Sequence, residues 1–276
     1  MHELKNAATS TDRIRHSIML VGGIGAGKTT TGTSLIGKKF WYLFDPNARA
    51  AIGLDKSSDY IEFIPDSPDE LDLGVKTLKA GVGDKVAVKA EPRAYIEWEK
   101  DFTERRREKF FDQYQWIIFD SATAFQDIIY DRVMFLGGRL GKHPEQADHT
   151  AQMNLFRQDM RAAATLTNFC CTAHVETEKD GLEGRIYGRI LMTGKNRLRV
   201  PSLFSHIFAT EYDAETKKYV IYTKPTRMHP VVRTSIPNLQ PIEDVTMDLN
   251  KPREGQGLGR IISRVTNLPA TSVGVK

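Results

Sequence analysis

The sequence predicts an open, mostly parallel α/β sheet with helices on its faces. Three observations predict it. The stretch GGIGAGKTT, Gly22 to Thr30, directly follows the apolar run Ser17–Val21. Further apolar runs recur at Phe40–Asp45, Tyr60–Pro65, Trp116–Asp120, Phe169–Ala173, His206–Glu211 and Tyr219–Thr223. Several of these are continuous rather than alternating, as strands buried on both faces should be. Between them, Ala94 to Tyr114 and Ala147 to Leu166 carry aromatic and methionine residues at helical spacing, which reads as core packing.

Ser17–Val21 is the first strand, and the loop after it fits G-x-x-x-x-G-K-[ST]. Gly22, Gly23, Gly25, Ala26 and Gly27 let the backbone turn so that successive N–H groups face an anion. Lys28 can then reach the β- and γ-phosphates, and the Thr29 hydroxyl can join a Mg²⁺ shell. A helix over Thr29 to Ile36, with Thr30 in its first turn, completes the strand, loop and helix that the motif demands.

The next strand ends in Asp45-Pro46-Asn47, where Asp45 could polarise a water attacking the γ-phosphate. Trp116–Asp120 is a core strand ending in an acid before a helix, so Asp120 is expected to hold Mg²⁺, with Ser121 capping the helix or lying near the metal. Asp and Ser also favour strand-to-helix turns for purely local reasons, but the phosphate loop upstream favours the metal role. Asn168 to His174 is a further strand whose His174 could sense the γ-phosphate or orient water.

Glu176 to Arg199 mixes acids with bases, and Arg185, Arg189, Lys195, Arg197 and Arg199 dominate its second half around Tyr187. Alternating Arg, Tyr and Gly suits phosphate contacts and base stacking in a mobile loop, while a solvated hairpin with ordinary surface charge is the plainer alternative. After Thr223 prolines accumulate, so the chain is expected to wrap the domain and end in a loose tail from Leu249 on. The expected organisation is an N-terminal extension over 1–16, a P-loop domain over 17–240 and a C-terminal tail over 241–276.

Composition narrows the classes. The 276 residues are 40% hydrophobic and 27% charged with a net charge of +4, which permits a polyanionic partner without requiring one. Cys170 and Cys171 are adjacent, so on a strand they face opposite ways and do not bridge. No Cys/His spacing suggests zinc, no leader-like segment opens the chain, and no apolar stretch nears the roughly 18 residues of a membrane span. A cytoplasmic protein without membrane association is expected.

The order of phosphate loop, strand ending Asp45-Pro46, "IIFDSATA", long helix, strand ending "CCTAH" and basic loop resembles the RecA-like core ATPases. In particular it resembles small phage-encoded RecA-like AAA-type proteins related to the Sak single-strand annealing ATPases. The resemblance covers about Ser17 to Leu239; the phosphate loop is generic, whereas "FDSATAFQ", "TAH" and "YTKPTRMHPVVRTSIPNL" are more specific. It implies an ATP- and Mg²⁺-dependent ATPase that forms a homo-oligomer, binds single-stranded DNA and supports recombination or annealing, in concert with a single-strand-binding protein. By position it gives Lys28, Thr29 and Asp120 the phosphate and metal roles and His174 the sensor role. It gives Gly137 to His143, with Arg139 and Lys142, and the region Glu176 to Leu198 the role of DNA loops. Lys224, Arg227 and Arg233 fall where relatives carry bases that reach a neighbour's nucleotide. One departure matters: relatives place a glutamate where this chain has Asn47, so Asp45 or a downstream acid such as Asp55 takes over, or hydrolysis is slow. The competing readings are a nucleic-acid motor such as a helicase or packaging ATPase, a small-molecule kinase, and a nucleotide-switched binder without turnover.

Overall fold

The computed structural model describes residues 15–53, 55–67, 91–179 and 186–266. Arg185 and the end of the expected tail lie outside them. Each of the seven apolar runs forms a strand: β1 (Ser17–Gly22), β2 (Lys39–Leu43), β3 (Ser58–Glu62), β4 (Trp116–Asp120), β5 (Asn168–Lys179), β7 (His206–Asp213) and β8 (Lys218–Tyr222). Two short strands add to them, β6 (Ile186–Ile190) and β9 (Ile242–Asp244). The helices are α1 (Lys28–Thr33), α2 (Ala48–Ile52), α3 (Ala94–Arg107), α4 (Ala122–Leu136), α5 (Gln146–Ala164), α6 (Asn196–Arg199) and α7 (Gly257–Thr266).

Among the described residues the sheet runs β3-β2-β4-β5-β1-β7-β8-β9, with β6 paired to β5 off that path. From β3 to β7 every pairing is parallel, while β8 and β9 add an antiparallel edge. One strand, β5, separates β1 from β4, within the open, mostly parallel sheet that the sequence predicts. The register matters for function. Gly22 is level with His174, and Leu43 is level with Asp120, so the carboxyl ends of β1, β2, β4 and β5 open at one edge.

Both faces are covered, which is why the strands read as continuous apolar runs. On one face Phe40, Tyr42, Phe119 and Phe169 pack under Trp98 and Phe102 of α3, Phe125 of α4 and Phe156 of α5. On the other, Ile18, Trp41, Ile118 and Phe208 pack under Ile52 of α2 and Leu258, Ile261 and Ile262 of α7. Cys170 and Cys171 fall into opposite clusters, unbridged and buried, as adjacent strand residues must.

The last helix corrects the expected loose tail. Leu258, Ile261 and Ile262 lie at i, i+3 and i+4 and are all buried, each contributing about 1.5–3 kcal/mol of apolar burial. Gly259 accepts no side chain, since a Cβ there would lie 2.0 Å from the Ser34 carbonyl oxygen. Among the described residues after β9, α7 is therefore part of the core.

At the amino ends of β1 and β7, His16 Nδ1 and His206 Nε2 lie 3.2 Å apart, and His206 Nδ1 lies 2.8 Å from the Thr234 hydroxyl. Both rings are buried. Burial first, then the neighbouring His16, push the His206 pKa from 6.5 down to about 4. A depressed histidine pKa means the folded state resists protonation that the unfolded chain accepts. Its stabilising contribution is complete above pH 6.5 and is lost as pH falls toward 4, about 3 kcal/mol in all. Thermal unfolding across this window is expected to show that loss, with a flatter profile in His206→Gln. An identical slope in the variant would assign the acid sensitivity to other groups.

Candidate functional site

The glycine-rich loop lies at the carboxyl edge of the sheet, between β1 and α1. Gly25 and Gly27 have φ of +75° and +81°, which only glycine adopts without strain. Gly27 is doubly constrained: a Cβ there would come within 2.7 Å of the Tyr219 ring. Lys28 is buried beneath the loop, its ammonium donating to the carbonyls of Gly22 at 2.9 Å and Gly23 at 2.7 Å. Burial lowers the Lys28 pKa, opposed by the negative charges of Asp120 and Asp45. Gly25, Ala26, Gly27, Lys28, Thr29 and Thr30 thus form one wall of a cleft, while Gly22 and Gly23 line a neighbouring pocket with Thr210, Tyr222 and His229. The cleft, of about 540 Å³, is lined on its other sides by Asp45, Asn47, Asp120, His174 and Tyr219.

Asp120, at the end of β4, is 3% exposed. Its carboxylate accepts hydrogen bonds from Thr29 Oγ1 at 2.7 Å and from Thr172 Oγ1 on β5. Burial raises its pKa, and the two threonine hydroxyls oppose that. A buried carboxylate beside a threonine hydroxyl at the foot of a phosphate loop is an oxygen-only donor set, which suits Mg²⁺. Thr29 and Asp120 are the residues that would hold it. Ser121 takes its expected capping role, accepting from the Ala124 N–H at 3.2 Å.

Asp45 and His174 face each other across the cleft mouth, Asp45 Oδ2 lying 3.7 Å from His174 Nε2. Lys28 Nζ lies 3.3 Å from His174 Nδ1. An ammonium can only donate, so Nδ1 accepts and the imidazole proton sits on Nε2, toward Asp45. Burial and the Lys28 charge lower the His174 pKa, which keeps this neutral tautomer at neutral pH. The Thr123 hydroxyl fixes the strand here by accepting from the His174 N–H at 3.0 Å. Asn47 contributes its backbone N–H to Asp45 Oδ1 at 3.0 Å, orienting the acid that stands where its own side chain cannot act as a base.

A sequence model of the AAA domain family (AAA_24) matches residues 14–231 of this chain. The chain belongs to that family. No curated protein matches the chain. Among solved structures it is similar to the flagellar accessory protein FlaH from Methanocaldococcus jannaschii, with 14% identity over 84% of this chain and 85% of that chain and a TM-score of 0.37.

In this AAA domain, five of the expected residues converge: Lys28, Thr29, Asp45, Asp120 and His174. Two do not. Asp55 lies at the opposite, amino edge of β2, paired with the buried Lys39 ammonium at 3.2 Å, and cannot serve as a base in the cleft. Arg233 bridges backbone to backbone with Ile207 near the start of β7, and its guanidinium donates to the carbonyls of Pro201 and Phe204 at 2.8 Å each. It braces the turn before β7, away from this chain's own cleft.

The basic loop residues are unequal. Arg139 is held bidentately by Asp148, at 2.7 and 2.6 Å, and Lys142 donates to the Gly138 carbonyl. Arg189 pairs across the β5–β6 hairpin with Glu178 at 2.7 Å and Glu176 at 3.6 Å. A phosphate would have to displace these carboxylates. Lys195 is exposed and Arg197 half-buried, and both stand at the start of α6, shortly after the hairpin's second strand. Sequence reasoning missed Tyr219, whose position over Gly27 is set by β8 pairing two strands away, and it missed that Thr172 binds Asp120. The alternation of Thr172 with His174 on one strand held the signal for the latter.

Proposed function

We propose that this AAA domain is an ATP- and Mg²⁺-dependent ATPase that couples nucleotide turnover to binding of single-stranded DNA, in phage recombination or annealing as the Sak-type resemblance implies. The observation that carries the reading is the course of β5. The strand leaves the cleft at His174 and continues without a break into the hairpin with β6, beside the basic start of α6. A change at the cleft mouth therefore acts on the segment that bears Arg189, Lys195 and Arg197. Assembly into a homo-oligomer and contact with a single-strand-binding protein belong to the same proposal.

Lys28 neutralises charge on the phosphates, and Asp45 can accept a hydrogen bond from water at the mouth of the cleft. Magnesium, when bound, offsets the negative charge of the phosphate oxygens. His174, neutral and tethered to both Lys28 and Asp45, links these groups to β5. The presence of Asp45 beside His174 favours turnover over a purely nucleotide-switched binder.

The test is ATP hydrolysis at fixed salt with single-stranded DNA, duplex DNA and neither. Stimulation by single strands supports the proposal; bound ATP without turnover in any condition would leave a nucleotide-gated binder. Lys195→Ala with Arg197→Ala is expected to weaken single-strand binding and to flatten its salt dependence by a slope of about 1.4, the loss of two phosphate contacts. An unaltered slope would move the DNA surface away from α6.

A further inference from the structure

Next to the phosphate cleft lies a smaller groove of about 170 Å³, lined by Gly27, Thr30, Tyr219, Val245, Met247 and Leu249 among others. It shares Gly27, Thr30 and Tyr219 with the cleft, so the two are neighbours. Its volume is below the roughly 300 Å³ at which complete ligand pockets begin, so it suits one part of a ligand whose remainder lies in the cleft beside it. Among the described residues no charged side chain lines it. Its far wall, 245–249, falls beyond the 14–231 matched to the AAA domain family.

That wall is built. The Val245 N–H donates to the Tyr219 carbonyl at 2.8 Å, and the Tyr219 N–H donates to the Thr246 hydroxyl at 2.9 Å, so the segment is stapled to β8. Gln256 holds the next turn, accepting from the Asp248 N–H at 2.8 Å and donating to the Asp248 carbonyl at 3.1 Å. Yet Leu249 on this fixed segment is 60% exposed and Tyr219 is 38% exposed. Two large apolar groups are thus held at the rim of an uncharged groove that begins where the phosphate loop ends.

We propose that this groove seats the purine ring of the nucleotide whose phosphates the loop holds, with Tyr219 and the 245–249 segment as its walls. The inference rests on the proposed reading of the cleft as a nucleotide site. Recognition is by ring contact and apolar burial: the Thr246 hydroxyl is engaged by Tyr219, the Thr30 and Thr31 hydroxyls can donate or accept and so suit either purine edge, and no carboxylate among the described residues lines the groove to reward the N1–H and amino group of guanine. The site therefore takes adenine and guanine nucleotides alike. It also gives the chain after β9 a part in nucleotide binding as well as in the core.

The experiment is equilibrium binding of Mg–ATP, Mg–GTP and tripolyphosphate to the full chain, to Leu249→Ser and Met247→Ser variants, and to Lys28→Ala. The exposed Leu249 can be replaced without disturbing packing, and a thermal melt checks each variant. Leu249→Ser and Met247→Ser are expected to weaken both nucleotides by about fivefold, as for a lost base contact, and to leave tripolyphosphate unchanged. The native chain is expected to bind ATP and GTP within about threefold of each other. Unchanged nucleotide affinity in both serine variants, or equal weakening of tripolyphosphate, would overturn the proposal, and a strong preference for one purine would overturn ring-only recognition. If Lys28→Ala also binds ATP as the native chain does, the nucleotide reading itself falls; if only the serine variants do, the base compartment alone falls.

Discussion

Replacing Lys28 with alanine is expected to abolish ATP turnover, lowering it by at least about a hundredfold, the scale of a lost charge-stabilising donor. The ammonium is the cation that lies under the loop, within reach of phosphates in the cleft, and it donates to Gly22, Gly23 and His174. Its removal also releases His174 Nδ1, so the link from phosphate to β5 goes with it. Stability is expected to change much less. The lysine is desolvated and its pKa is lowered by burial, so losing its hydrogen bonds is offset by relief of a buried charge, leaving a net change of about 1 kcal/mol. Activity and melting temperature measured on the same preparation separate the two effects. Retained turnover would remove the phosphate-binding assignment of the loop.

The parts of the fold that were legible in the sequence are those set by local pattern. Continuous apolar runs give buried parallel strands, and a loop rich in glycine between strand and helix gives the phosphate site. Asp120 and His174 could be read as neighbours because each closes such a run. What was illegible depends on which end of a strand a residue joins, or on partners distant in sequence. Asp55 and Asp45 are both acids near β2, but β2 runs away from one and toward the other. Arg233 is assigned by an antiparallel bridge to Ile207, for which the local sequence carries no sign. The hairpin of β5 and β6 reads as a charged loop because its pairing is between Arg189 and the glutamates opposite, with no apolar run to announce it. The Leu258, Ile261 and Ile262 stripe of α7 was present but short, and its partner Leu35 lies more than two hundred residues upstream.

Asp120→Asn is expected to separate chemistry from architecture. The carboxylate is held by two threonine hydroxyls, one from the phosphate loop's helix and one from β5, and is nearly sealed from solvent. An amide of the same shape keeps one acceptor and can donate to the second hydroxyl oxygen, so the hydrogen-bond loss is about 1 kcal/mol. Against it stands removal of a carboxylate whose pKa is raised by burial, an unfavourable charge in the folded chain. The melting temperature without nucleotide should therefore hold or rise. The amide carries no negative charge for a divalent cation, so magnesium-dependent turnover should fall by at least about a hundredfold, while Thr29 alone cannot restore it. Metal titrations of nucleotide binding and a melt of the same variant read both sides. If stability drops and turnover persists, Asp120 is a strand-end acid that organises the turn into α4, and the metal-holding role must be sought elsewhere around the cleft.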